Sequence, residues 1–342
     1  MEIKLAKEMG MCFGVRDTLK FIDEAGQSRQ RIDTLGTLVH NPQLVERLSK
    51  RGVEVVGGLD SVSAPTVAVT AHGAAPDVYR RAELSGLELL DTTCPLVTRV
   101  QQLAKRLMEE GNWVIVYGDA PHPEVIGILG WANSVFEERG AGAEAHDGVE
   151  GGTPSNDTPS PHGMSESGIK PKSKISKFGA RRAICAKSVE EIEAALIADG
   201  TPAAKIRRIA LISQTTQNTE WFKEFVRDVV SRFLEHGTEV HAHNTVCLPT
   251  AKRQPAAVDL AKEVDVMVVV GGYESANTRH LRDIAAEFCP AYHIERPEQL
   301  EEAWFQGVKT VGVTAGASTP DYVIKEVVDA LEDMGGKLAV GA

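Results

Sequence analysis

The chain has 342 residues, 42% of them hydrophobic and 25% charged, with a formal net charge of −11. That length suits two or three domains, and the composition is ordinary for a globular protein. The acidic balance argues against nucleic acid as a partner, since backbone binding needs a basic face, but it leaves room for a small anion held by local donors.

No run approaches the roughly 18 apolar residues needed to span a bilayer, so no membrane partner is expected. Met1-Glu2-Ile3-Lys4-Leu5 enters a strand pattern directly, and the expected location is the cytoplasm. Helices are expected near 15–25 and 42–51, a strand at 66–70, helices at 76–84 and 96–110, and a strand at 113–117. Residues 141–180 break the alternation: Gly, Pro and Ser fill 17 of the 40 positions, too little apolar surface to offset ordering entropy, so a disordered surface insertion is expected. His146 and His162 fall inside it and carry no functional weight. A helix at 189–199, a strand at 208–212, helices at 218–235 and 251–263, a strand at 266–270, a helix at 277–287, a strand at 310–314 and a helix at 320–333 complete the chain. Short β-branched runs alternating with amphipathic segments predict an α/β fold with parallel sheets.

Five cysteines at wide spacing (12, 94, 185, 247, 289) do not describe a disulfide framework and fit a reducing compartment. Cys12, Cys94 and Cys247 each end a strand-like run and open a helix-like one. A thiol there sees the positive end of the helix dipole, which predicts a lowered pKa and a thiolate ready to bind metal. Three such thiolates can hold an iron–sulfur cluster with one iron left open. Cys185 and Cys289, in apolar surroundings, read as core. With the insertion set aside, three cysteine-opened segments predict three α/β units: 13–95, 96–235 including the insertion, and 236–342 joined by 1–12.

Parallel sheets bind ligands at the carboxyl ends of their strands. Those ends read Ala71-His72-Gly73, Asp119 to Glu124, Ser213 to Gln217, Gly271 to Asn277 and Ala315 to Asp321, and His40-Asn41-Pro42 precedes the second helix. Small polar donors at helix starts can form an anion site, plausible for a phosphate or diphosphate. Each element also has a plainer reading. A histidine after a strand can simply pack or cap, and Ser275, Asn277 and Ser318 suit N-caps without any ligand. Spacing alone leaves both readings open. His241 and His243 alternate on a strand and suit a solvated or supporting role better than a metal site. There is no Cys-x-x-Cys, His-Glu-x-x-His, phosphate-binding G-x-x-x-x-G-K-[ST] or helix-opening G-x-G-x-x-G.

Gly10-x-Cys12-x-Gly14-Val15, Val39-His40-Asn41, Ala71-His72-Gly73, Asp91-x-Thr93-Cys94-Pro95-Leu96-Val97, His122-Pro123-Glu124-Val125, Gln214-Thr215-Thr216, Ser275-x-Asn277 and Val313 to Ser318 occur in that order. With these motifs the chain resembles the 4-hydroxy-3-methylbut-2-enyl diphosphate reductases of the non-mevalonate isoprenoid pathway, over nearly its whole length outside the insertion. The resemblance implies three pseudo-equivalent α/β units around a central iron–sulfur cavity, with Cys12, Cys94 and Cys247 ligating a [4Fe–4S] cluster. It implies diphosphate binding by His40, His72, His122, Ser275, Asn277 and Ser318, a proton source in Glu124, and Thr215 orienting the substrate hydroxyl. The implied reaction is a two-electron reductive dehydroxylation, giving isopentenyl and dimethylallyl diphosphates, with electrons from a ferredoxin- or flavodoxin-like protein. The chain departs from the family pattern at Phe13 (usually Ala), at Ala276 (usually a second Ser) and in Leu248-Pro249-Thr250-Ala251-Lys252 (usually Tyr-Ala-Thr-Thr-Asn). A redox sensor without turnover and a zinc hydrolase are the competing classes. Glu124 and Thr215 weigh against the first, and the colour of anaerobically purified protein separates the second.

Overall fold

A computed structural model describes residues 1–144 and 183–339. Most of the insertion expected at 141–180, with His146 and His162, lies outside the described residues.

The chain opens with β1 (Glu2–Leu5) and α1 (Phe13–Gln27). β2 (Ile32–Leu35), α2 (Pro42–Ser49), β3 (Val53–Val56), β4 (Thr66–Val69), α3 (Pro76–Leu84) and β5 (Glu88–Asp91) build a first sheet. Next come α4 (Pro95–Glu109), β6 (Trp113–Tyr117), α5 (Pro123–Glu144), β7 (Ile184–Cys185), α6 (Val189–Ala198), β8 (Arg208–Ser213), α7 (Thr219–Leu234) and β9 (Glu239–Ala242). The last part holds α8 (Leu248–Ala261), β10 (Val266–Val270), α9 (Ala276–Ala286), β11 (Ala291–Ile294), β12 (Thr310–Ala315), α10 (Asp321–Asp333) and β13 (Lys337–Leu338).

The strands form three sheets, ordered β3-β2-β4-β5, β7-β6-β8-β9 and β11-β10-β12-β1-β13. Every described pairing is parallel. In the first two sheets the strands lie in the order second, first, third, fourth. The last sheet repeats that order from β10, with β1 from the start of the chain in the fourth place. β9 lies beyond the boundary expected at 235, yet pairs with β8 from Arg208↔Glu239 to Leu211↔Ala242. The turn at positive-φ Gly237 simply returns the chain to the same sheet.

Central strands are buried on both faces, as parallel sheets require: every residue of β6 and of β10 is buried. Helix starts are chemically marked. Asn41 accepts from Leu44 N at 3.0 Å with Pro42 behind it, and Ser275 accepts from Thr278 N at 3.3 Å. In each sheet the order of strand addition reverses at the first strand, with the second strand on one side of it and the third on the other. Those three switch points, with the fourth-strand ends beside them, set the positions of the functional side chains.

Candidate active site

The three fourth-strand ends are equivalent. β1, β5 and β9 lead to Cys12, Cys94 and Cys247, which are the N-caps of α1, α4 and α8. Each cysteine's N–H donates to the turn after its sheet's third strand: Cys12 to Ala317 O at 2.9 Å, Cys94 to Ala71 O at 3.0 Å and Cys247 to Thr215 O at 2.9 Å. One backbone bond, made three times, fixes each thiol relative to its switch point.

All eleven predicted site residues, Cys12, His40, His72, Cys94, His122, Glu124, Thr215, Cys247, Ser275, Asn277 and Ser318, line one cavity. Cys185 and Cys289 lie outside it and pack against hydrophobic clusters of the second and third sheets. Thr216 and Thr250 also line it and were not anticipated. Thr216 follows the carbonyl that receives Cys247 N–H, as His72 follows Ala71 and Ser318 follows Ala317. That offset was readable once the units were aligned.

The histidine rings pack on one another, with centroids 4.4 Å (His40–His72), 5.3 Å (His40–His122) and 5.2 Å (His72–His122) apart. Burial lowers all three pKa values, well below the ordinary value for His72 and to about 3 for His122; the charges of its neighbours add to the effect on His72. The imidazoles are therefore neutral at pH 7. His122 Nδ1 accepts from Glu124 N at 3.2 Å, so its proton sits on Nε2. Ser318 Oγ donates to His40 O at 3.1 Å, tying the first and third units together.

Glu124 is buried, and Thr215 holds both its oxygens: the backbone N–H at 2.6 Å on Oε1 and the hydroxyl at 2.9 Å on Oε2. Burial raises its pKa to about 7 although both bonds pull the other way. Thr250 Oγ1 donates to Asn277 Oδ1 at 3.3 Å and lies 3.2 Å from Cys247 Sγ. Asn277 Nδ2 is a buried donor with no partner, and His40 Nε2 is likewise buried and unpartnered; it is a donor in the tautomer whose Nδ1 accepts from the Thr37 hydroxyl at 3.4 Å.

The expectation of lowered thiol pKa values is overturned for two cysteines. Burial pushes Cys247 up to about 11, and it raises Cys94 despite hydrogen bonds from Leu96 and Val97 N–H. The helix-end effect is present, but desolvation outweighs it. A bound metal would offset that desolvation and favour their ionisation.

The donor set fits an iron–sulfur cluster. Three thiols from three sheets face one cavity, and Gly14 makes room: a Cβ there would sit 2.6 Å from Cys94 Sγ. Among the described residues, the group of three ligand atoms close enough for a single ion is His40, His72 and His122, within 4.8 Å of one another.

The LytB protein family model matches residues 3–332. A Dehalococcoides mccartyi 4-hydroxy-3-methylbut-2-enyl diphosphate reductase is 36% identical over 342 residues, covering 100% of both chains. The Geobacter sulfurreducens protein of that name is 35% identical, over 98% of this chain and 99% of its own. A solved structure of (E)-4-hydroxy-3-methyl-but-2-enyl diphosphate reductase, described as the terminal enzyme of the non-mevalonate pathway, is 33% identical with a TM-score of 0.60, over 97% of this chain and 100% of its own. The Plasmodium falciparum reductase, 19% identical over 100% of this chain and 93% of its own, supports the fold alone with a TM-score of 0.76. By its family match and its full-length relatives, the chain belongs to the LytB family.

Proposed function

We propose that this chain is an oxidoreductase that removes the hydroxyl of (E)-4-hydroxy-3-methylbut-2-enyl diphosphate, giving isopentenyl and dimethylallyl diphosphates. Two electrons and two protons enter, the C–O bond breaks, one proton leaves with the hydroxyl as water and the other goes to an allylic carbon. Cys12, Cys94 and Cys247 would hold a [4Fe–4S] cluster, which supplies single electrons and a Lewis-acidic iron when bound. A ferredoxin- or flavodoxin-like protein is the proposed electron source.

The observation that carries the reading is the pair of buried, unpartnered nitrogens, His40 Nε2 and Asn277 Nδ2, in the cavity that holds the three thiols. Buried donors without acceptors are costly, and a diphosphate supplies the acceptors. Neutral His40, His72 and His122, with Ser275, Asn277 and Ser318, bind it by hydrogen bonds from five helix starts or strand ends. Because the imidazoles begin neutral, the arriving anion favours proton uptake by the triad.

Glu124 is the acid. With a pKa near 7 it is about half protonated at neutral pH, the poise that suits proton donation. When it is protonated, the Thr215 hydroxyl can accept its proton and pass its own to the departing oxygen, a two-bond relay. Burial keeps bulk water from short-circuiting it.

Anaerobically reconstituted protein, given this substrate and a strong one-electron reductant, is expected to form both C5 diphosphates. Iron-loaded protein that leaves the substrate unchanged would refute the proposal. The close histidine triad supports a second reading, a single metal ion used for hydrolysis; release of orthophosphate without reductant would favour it.

A further inference from the structure

Arg253 lies on α8, roughly one and a half turns beyond Cys247. It is 5% exposed and lies outside the set of residues that line the cavity. Its Nη2 donates to Gly10 O at 2.5 Å and its Nη1 to Pro249 O at 2.8 Å, while Nε is buried without a partner. Among the described residues no carboxylate forms an ion pair with it. Surface arginines such as Arg29, Arg51, Arg232 and Arg279 all pair with Asp or Glu.

A buried guanidinium held only by neutral carbonyls lacks the counter-charge that buried cations require. Its two carbonyl partners flank two of the cysteines read as cluster ligands: Gly10 in the turn before Cys12, and Pro249 in the first turn after Cys247. The exposed Arg16 holds the next carbonyl of the same turn, Met11 O, at 3.0 Å, but it is solvated and contributes little field. Arginine is suited to this place because it stays charged when buried.

We propose that Arg253 is the built-in counter-charge of the cysteine-held cluster, tying the Cys12 and Cys247 turns together and favouring the more negative, reduced form. It is a positioning residue, and the proposal rests on reading Cys12, Cys94 and Cys247 as cluster ligands. Each added electron increases the negative charge that Arg253 faces, so a fixed cation beside two of three thiolates raises the reduction potential.

The test is a spectroelectrochemical titration of anaerobically loaded wild type, Arg253→Lys and Arg253→Gln, with iron content measured on each. Lys is expected to stay near wild type. Gln is expected to shift the reduced-to-oxidised ratio at fixed potential about tenfold toward oxidised, a fall of ~59 mV for one electron. A Gln variant with the wild-type potential overturns the proposal, as does a Lys variant that falls with Gln, because both would reduce Arg253 to a tether. If Gln cannot load iron, a loaded Lys variant at near-wild-type potential supports the need for charge; loss of loading in both contradicts it. Wild type that loads no cluster refutes the ligand assignment itself, and the inference with it.

Discussion

The fourth-strand ends and the switch-point turns of this molecule are built by the same three repeats but treat symmetry differently. At the fourth-strand ends every unit supplies the same residue in the same bond: Cys12, Cys94 and Cys247, each an N-cap, each donating N–H to the neighbouring turn. At the switch points the units diverge. The first offers His40 and His72, the second His122, Glu124, Thr215 and Thr216, and the third Ser275, Asn277 and Ser318. A cluster bound through three equivalent irons makes the same demand three times, whereas a substrate with a charged end and a reacting end makes different demands. In the proposed function the repeats stay alike where the ligand is symmetric and differ where it is not.

The symmetric side breaks hardest. Cys94→Ser is expected to lose the cluster, with iron and the cysteine-to-iron absorption both falling, and turnover dropping on the order of 10³-fold or more; full iron retention would remove Cys94 from the ligand set. On the asymmetric side, Glu124→Gln is expected to keep its iron and lose on the order of 10²–10⁴ in turnover. Undiminished rate in that variant would end the acid role.

The same residue predicts a pH profile. As an acid with its pKa at about 7, Glu124 should make wild-type turnover fall as pH rises through that value. Its stability effect runs the same way. The unfolded chain titrates Glu124 near 4.5 and the folded chain near 7, so between them the folded state holds more protons. Its contribution to stability is full below about 4.5 and is lost as pH rises to about 7. Urea denaturation of wild type against Glu124→Gln at several pH values should show the gap closing, then reversing in favour of Gln, as pH rises through this window.

Smaller effects are expected where one donor of several is removed. His72→Asn should raise KM by roughly 10- to 100-fold with a lesser change in kcat, the scale of one or two hydrogen bonds to a charged group; an unchanged KM would place the diphosphate elsewhere. Replacing residues 146–180 by a short linker should leave turnover within about twofold, since closure entropy changes slowly with length, and a large loss would assign that stretch a role.

How much of this was legible depended on whether the signal was local. The strand–cysteine–helix junctions and the helix caps are written in neighbouring residues, and Cys12, Cys94, Cys247, Asn41 and Ser275 could be picked out from them. α5 was absent from the expected helices because its sequence is apolar around most of its circumference and carries Gly127 and Gly130. Its glycines answer to tertiary contacts: a Cβ on Gly130 would lie 2.4 Å from Ala75 Cβ, and one on Gly127 2.9 Å from Gln101 Nε2. β2 reads as polar, Ile-Asp-Thr-Leu, yet Asp33 is buried because Ser63 N and Ala64 N satisfy it at 2.7 and 2.9 Å. The thiol pKa values were misjudged for the same reason. The helix end is local and visible in sequence, while the desolvation that outweighs it comes from the assembled cavity.

Anaerobic reconstitution followed by iron and sulfide analysis of wild type and of the triple Cys12/Cys94/Cys247→Ser variant tests the shared centre most directly. The account predicts about four irons and four sulfides per wild-type chain and none retained in the triple variant. A single zinc or iron per chain that survives the triple substitution would contradict it.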